Sequence, residues 1–310
     1  MANDGIIRVA TWNVFHLMDQ SLGRPGLRAG MRRGHRRVGD LVHLNRRHVR
    51  PASMVLGRLD ADVALLQEIS PRDVPRLGRA VGAHGAWATR TGPLVGPAWL
   101  RDAVGAWNPD LVGTHEGNAN AILVGSRMRL RRGTGRGLRL NAWRHVWEAW
   151  HDPGTDLTFG GFKRWLGEAR FAVAGRVAPG DGYPDVTVVS LHLHNARGDA
   201  ERSHEIGRLV GALKGVEGPL IVGGDFNMPP SSPHMARLAE VGLTDDSDDP
   251  SAGIDRIFTR GLDVVEPSRR LPPSAREVEW TGRRGSGRVR VSDHDVVTAT
   301  FRVPRTPGEA

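Results

Sequence analysis

Short apolar runs that stop abruptly at polar residues set the pattern along this chain. The sharpest is Pro219-Leu220-Ile221-Val222, apolar and partly β-branched, which predicts a buried strand closed by Gly223 and Gly224 and followed by Asp225-Phe226-Asn227. If the backbone stays extended past the glycines, Asp225 and Asn227 share one side and Phe226 takes the other. Other runs repeat this form. Residues 6–14 predict a first strand with Thr11 and Asn13 on one face, Trp12 and Val14 on the other. Residues 62–68 predict a strand ending in Gln67 and Glu68, then a helix from Ser70-Pro71 to about Val81. Residues 186–195 alternate so that His192 and His194 share a face, with Leu191 and Leu193 on the buried one and Asn195 just beyond. Residues 253–258 predict a strand with Asp255 embedded in it, and Asp293-His294 precedes a last strand over 296–303.

Between these strands the pattern changes. In residues 21–58 arginines at spacings of three and four alternate with Val and Leu, predicting one or two amphipathic helices with a basic face, started or broken at Pro51. That face is either solvated or a phosphate contact. Residues 117–124 and 169–177 predict a strand pair. The insertion between them, about 126–167, carries six arginines before Trp143, Trp147 and Trp150. The tryptophans form one helical stripe, read first as packing and alternatively as a base-stacking platform or a membrane-interface helix. Helices are predicted over 200–213 and 234–240, a solvated acidic loop at Asp245–Asp249, and a loop over 266–290. Residues 84–116 yield no assignment.

Composition narrows the class. With 39% hydrophobic and 25% charged residues the chain is globular, and 310 residues without an internal repeat or linker read as one domain, 1–310. A net charge of +9, mostly from arginine, favours a polyanionic partner. The absence of cysteine excludes disulfides and thiolate metal sites. No leader pattern and no run of about 18 apolar residues is present, so a cytoplasmic protein without a transmembrane helix is expected. Decoys fail on spacing: His204-Glu205 lacks the second histidine of a zinc helix, and no phosphate-binding Gly-Lys-Ser/Thr loop occurs.

Taken in order, Thr11-Trp12-Asn13, Leu66-Gln67-Glu68, Ser190-Leu191-His192, Gly224-Asp225-Phe226-Asn227, Ile254-Asp255-Arg256-Ile257 and Ser292-Asp293-His294 resemble the motifs of the endonuclease/exonuclease/phosphatase superfamily. The resemblance implies a four-layer α/β/β/α sandwich of two mixed β-sheets flanked by helices. It also implies a divalent metal, Mg²⁺ or Mn²⁺, and phosphate ester hydrolysis by an in-line water. On this reading Glu68 is the metal ligand, with Asn13 and Asp293 assisting. Asp225 orients or deprotonates the water, and Asn227 donates to a phosphate oxygen. Asp293 fixes the tautomer of His294, which acts as base or phosphate donor. His192 stabilises the pentavalent phosphorus or protonates the leaving oxygen, and Asp255 supports a histidine or a second metal. Asn118, His194, Asn195, Arg197 and Arg256 are candidate substrate contacts.

The chain departs from a minimal member of the family in its basic segment, its insertion and its extra His194. The His-Leu-His pair looks more like the lipid-directed branches than the abasic-site repair branch. A nuclease acting on DNA or RNA is the first expectation, and hydrolysis of a small phosphoester or lipid headgroup the alternative. A non-catalytic module would be expected to lose Glu68, Asp225 or His294, and all three are present.

Overall fold

The computed structural model describes residues 4–19, 36–43, 48–90, 97, 99–100, 118–141, 170–194, 199–248, 253–282 and 285–305. In chain order the strands are β1 (Ile6–Asn13), β2 (Arg36–Val38), β3 (Leu41–His43), β4 (Val63–Ile69), β5 (Gly85–Arg90), β6 (Ala119–Val124), β7 (Arg129–Leu130), β8 (Arg136–Arg139) and β9 (Phe171–Ala178). They continue with β10 (Val186–His192), β11 (Leu220–Asp225), β12 (Thr244–Asp245), β13 (Asp255–Arg260), β14 (Asp263–Arg270), β15 (Glu277–Gly282), β16 (Gly285–Arg290) and β17 (Val297–Arg302). Among the described residues the α-helices are α1 (Val49–Leu59), α2 (Val74–Ala80), α3 (Asp199–Leu213) and α4 (Pro233–Ala236). One sheet runs β14-β17-β1-β4-β6-β5; a second runs β12-β13-β11-β10-β9-β7, with β8 also on β9; a small third runs β15-β16-β3-β2.

Period-two alternation sorts the side chains into layers. Ile7, Val9, Val63, Leu65 and Ile122 of the first sheet meet Val173, Val188, Ile221 and Ile257 of the second in one buried core. The opposite face of the first sheet (Trp12, Leu66, Ala121, Leu123) is covered by Ala52, Val55 and Leu56 of α1 and Leu77 of α2. The opposite face of the second sheet (Val189, Leu191, Val222, Phe258) is covered by Ile206, Leu209, Val210 and Leu213 of α3. The expected helix–sheet–sheet–helix stack follows from these three clusters. Each fully buried aliphatic side chain stabilises it by roughly 1.5–3 kcal/mol.

β1 and β4 are parallel, as are β10 and β11. Parallel neighbours need a crossover, which α1 and α3 supply. Register then aligns the strand ends: Asn13 stands opposite Gln67, His192 opposite Asp225, and Asp225 opposite Asp255. Among the described residues no helix is long and apolar enough to cross a membrane.

Several expectations are corrected. Within residues 21–58 only α1 is helical among the described residues, with Pro51 in its first turn; Arg36–Val38 and Leu41–His43 pair as an antiparallel ribbon. Residues 266–290 are largely strand, β14 through β16, not loop. The pattern hid β14 because nearly all of its residues are exposed. Residues 119–124 and 171–178 sit in different sheets rather than pairing, because β7 and β8 of the insertion take the edge of β9. The tryptophan stripe lies outside the described residues. The acidic run is partly engaged: Asp245 accepts from the buried Arg256, and Asp246 accepts from Thr259 at 2.6 Å.

Gly224 permits the close approach of β10 and β11. Its φ is +153°, and a Cβ there would lie 1.9 Å from the Leu191 carbonyl oxygen, a backbone atom that no rotamer change can move. Gly211, in α3, faces open space. Gly224→Ala should therefore cost more than about 3 kcal/mol in urea unfolding. Gly211→Ala should stabilise by about 0.5–1 kcal/mol in the same measurement.

Candidate active site

The alternation of β4 sends Val63, Leu65 and Gln67 toward the second sheet and Ala64 and Leu66 toward α1 and α2. Glu68 should by parity face the helices. Instead its backbone takes φ +52°, and the pairing with β6 shifts register between Leu66 and Ile69. Such an irregularity re-aims a side chain, here into the mouth between the sheets. Asn13 Nδ2 donates to Glu68 Oε1 at 3.1 Å and to Asp225 Oδ2 at 3.0 Å. The Asn13 Oδ1 accepts the Phe15 N–H at 3.0 Å, so the amide nitrogen faces the acids. In this geometry Asn13 bridges the two carboxylates; it does not offer its oxygen to a metal beside Glu68, as the sequence reading expected.

Asp225, Asp255 and His294 converge. Their ligand atoms lie within 4.8 Å of one another. Burial and the charge of Asp255, with a smaller push from Glu68, raise Asp225 to about 7, against the pull of His294 and the Asn13 hydrogen bond. His294 Nδ1 lies 2.8 Å from Asp255 Oδ2. Burial disfavours the imidazolium, but that bond and the charges of Asp255, Asp225 and Asp293 outweigh it and hold His294 at about 10. The ring partner is thus Asp255, not the adjacent Asp293; the backbone is left-handed at Ser292, just before the pair. Asp293 stands exposed at the rim. Its carboxyl is raised by desolvation in the mouth and, against His294, by the charge of Glu68.

The loop carrying His294 is held tightly. Trp12 Nε1 donates to the His294 carbonyl at 3.1 Å, Ser292 Oγ donates to the Asn13 carbonyl at 2.6 Å, and the His294 N–H donates back to Ser292 Oγ at 3.0 Å. The buried Arg276 bonds the Ser292 carbonyl and, at 2.9 Å, Asp295.

His192 is buried, with Nε2 3.6 Å from Asp225 and 3.7 Å from Glu68. Arg170 Nη1 sits 3.2 Å from its Nδ1. A guanidinium can only donate, so Nδ1 accepts and the ring proton is on Nε2. Burial and the Arg170 charge, aided by the neighbouring histidines, hold His192 well below its usual pKa. The ring is neutral, and its contacts with the acids are not ion pairs.

Other candidates are placed elsewhere. Asn227 takes φ +49° rather than staying extended; its N–H donates to Asp225 at 2.9 Å and its Nδ2 to the Leu193 carbonyl at 2.8 Å. His194 is drawn to α3, its N–H donating to Glu205 at 2.9 Å and its Nδ1 lying 3.7 Å from Glu201. Arg256 is buried and committed to Asp245. Asn118 is buried just before Ala119, which pairs with Ile69. Asn195 and Arg197 lie outside the described residues.

Two residues escaped the sequence reading. Arg170 precedes β9, and only its tertiary partner marks it. His16 follows Asn13 by three residues, which was the available signal; it is buried, with Nε2 3.4 Å from Glu68 Oε2. It sits in Phe15–Leu17, three successive non-glycine residues at φ +43°, +55° and +60°. Each such residue costs roughly 1–2 kcal/mol.

The site suits a divalent cation. Two acids and an imidazole, Asp225, Asp255 and His294, share a buried space beside Glu68, and Asp255 Oδ1 is buried there without a hydrogen-bond partner. Positive charge would offset both the burial and the neighbouring acids that raise Asp225. Oxygen donors of this kind suit a hard divalent cation.

Solved structures share the fold across nearly the whole chain. An endonuclease/exonuclease/phosphatase from Beutenbergia cavernae is 18% identical, with a TM-score of 0.61, covering 96% of this chain and 72% of that one. The human nocturnin catalytic domain with bound sulfate is 18% identical, with a TM-score of 0.55, over 96% and 95%. A mannosyl-6-phosphatase from Bacteroides thetaiotaomicron is 16% identical, with a TM-score of 0.55, over 95% and 99%. Comparison with curated protein sequences finds no match. The model of the Endonuclease/Exonuclease/phosphatase family matches residues 10–294, and the chain belongs to that family.

Proposed function

We propose that this protein is a divalent-metal-dependent phosphoesterase that hydrolyses the phosphodiester bonds of a nucleic acid by in-line attack of water. The observation that carries this reading is the convergence of Asp225, Asp255 and His294 at aligned strand ends beside Glu68. Glu68, with Asp293 at the rim, would hold a cation, and that cation would supply Lewis acidity against the anionic phosphate oxygens.

The protein's own groups divide the remaining work. Asp225, tied to Glu68 through the Asn13 amide, takes the proton of the attacking water. His294, kept cationic by Asp255, donates to a phosphate oxygen. His192 presents a neutral Nε2–H between Glu68 and Asp225, placed to stabilise charge on the phosphorus oxygens. Asn227 fixes the exit of β11 and so the direction of the Asp225 carboxylate.

The polynucleotide reading rests on charge and shape. The net charge is +9. Beside Asp255 a cavity of about 410 Å³ is lined by Arg269 and Arg270, with Ser247 and Ser268, and by the acids Asp245 and Asp248, of which Asp245 is neutralised by the buried Arg256. Arg269 and Arg270 support this reading as candidate contacts to phosphates flanking the scissile one.

Glu68→Gln, or removal of divalent ions by a chelator, should lower kcat/KM on a nucleic acid by roughly 10³-fold or more. If three flanking phosphates are contacted, raising salt from about 50 to 200 mM should weaken binding roughly 40-fold. A flat salt dependence would instead assign the site to a small phosphoester. In the metal-free protein, ¹⁵N NMR should show His294 protonated beyond pH 8. Asp255→Asn removes the bond and charge favouring the imidazolium, so the titration should move down by about 1–3 pH units.

A further inference from the structure

His16 is not accounted for by the reaction as described, yet the chain bends sharply to bring it in. The turn Phe15–Leu17 is left-handed at all three residues, none of them glycine. It is held from both sides: Val14 N–H bonds the Gln67 carbonyl at 3.0 Å, Leu17 N–H the Val14 carbonyl at 2.7 Å, and the Leu17 carbonyl accepts the His48 N–H at 2.6 Å. Leu17 and Met18 are fully buried beneath it. Strain that surrounding structure over-determines points to a functional side chain, and the side chain presented to the site is the His16 imidazole.

The distance discriminates between two roles. His16 Nε2 is 3.4 Å from Glu68 Oε2. This is long for a charge-assisted hydrogen bond, usually about 2.7–2.9 Å. It matches the ~3.0–3.4 Å that separates adjacent ligands of one ion bound at ~2.1 Å. The other imidazole beside Glu68, His192, cannot ligate through Nε2, because Arg170 occupies its Nδ1 and leaves the proton on Nε2.

We propose that His16 Nε2 is a nitrogen ligand to the cation held by Glu68, and that this imidazole biases the site toward a divalent transition ion over Mg²⁺. Imidazole binds transition ions well, whereas Mg²⁺ favours oxygen and keeps its waters. The proposal rests on the reading that Glu68 holds a cation, and it adds a ligand and a selectivity to that reading.

The test uses Mn²⁺ as probe. Pulsed EPR of the Mn²⁺-loaded full chain should show coupling to a directly bound ¹⁴N. That coupling should persist in His192→Gln and in His294→Gln and vanish in His16→Gln. Mn²⁺ affinity should fall about tenfold or more in His16→Gln while Mg²⁺ affinity falls less than about threefold. Mn²⁺ bound in a Glu68-dependent way without ¹⁴N coupling overturns the proposal and leaves the metal site standing. Coupling lost in His192→Gln or His294→Gln, or unchanged in a folded His16→Gln, also overturns it. Mn²⁺ binding indifferent to Glu68→Gln overturns the underlying reading as well. If His16→Gln does not fold, the wild-type, His192→Gln and His294→Gln spectra decide the assignment.

Discussion

Asn13 donates one hydrogen bond to Glu68 and one to Asp225, and with Gln67 Nε2 to Ser190 Oγ at 3.0 Å it ties together the mouths of two sheets joined below by apolar packing. The rest of the site depends on this polar seam. Apolar contacts are tolerant of sliding, because burial has no direction. A pair of buried hydrogen bonds is not tolerant, because losing either leaves a desolvated polar group. The seam therefore fixes how the end of β4 faces the end of β11, and so the spacing of the carboxylates.

Backbone strain concentrates around that seam. His16, Glu68, Asn227 and Ser292 all occupy the left-handed region, and each lies in or beside the cleft. Regular strands would have sent Glu68 to the outer face and carried Asn227 onward from β11. The deviations turn side chains inward at strand ends, where the ladder no longer constrains them. The apolar layers on both sides hold the distorted ends in place, so stability in the sandwich offsets strain at its rim.

The electrostatics follow from the same crowding. Negative charge gathers in a space with little water, so Asp225 resists ionisation and His294 resists losing its proton. At His192 burial, joined by the Arg170 charge, does the opposite and keeps that ring neutral. Two histidines that both approach Asp225 thus carry different charges, with different neighbours on Nδ1: an acid for His294, a guanidinium for His192.

What the amino-acid order determined by itself was the set of buried strands and the polar residue at each strand's end. A sheet buried on both faces reads as a short apolar run, and chemistry-bearing side chains stand out where it stops. β1, β4, β10, β11, β13 and β17 were legible for this reason, as were α2 and α3. The order did not reveal β14, whose residues are mostly exposed, nor β2 and β3, where arginine spacing imitates a helix. It could not show that Glu68 turns inward, that Asp255 rather than Asp293 holds His294, or that Arg170 and His16 belong to the site. Those facts depend on a backbone irregularity and on partners tens of residues apart, brought together only when the two sheets close on their shared core. Alternation records which face a residue occupies within its strand; it carries no information about what stands on the facing sheet.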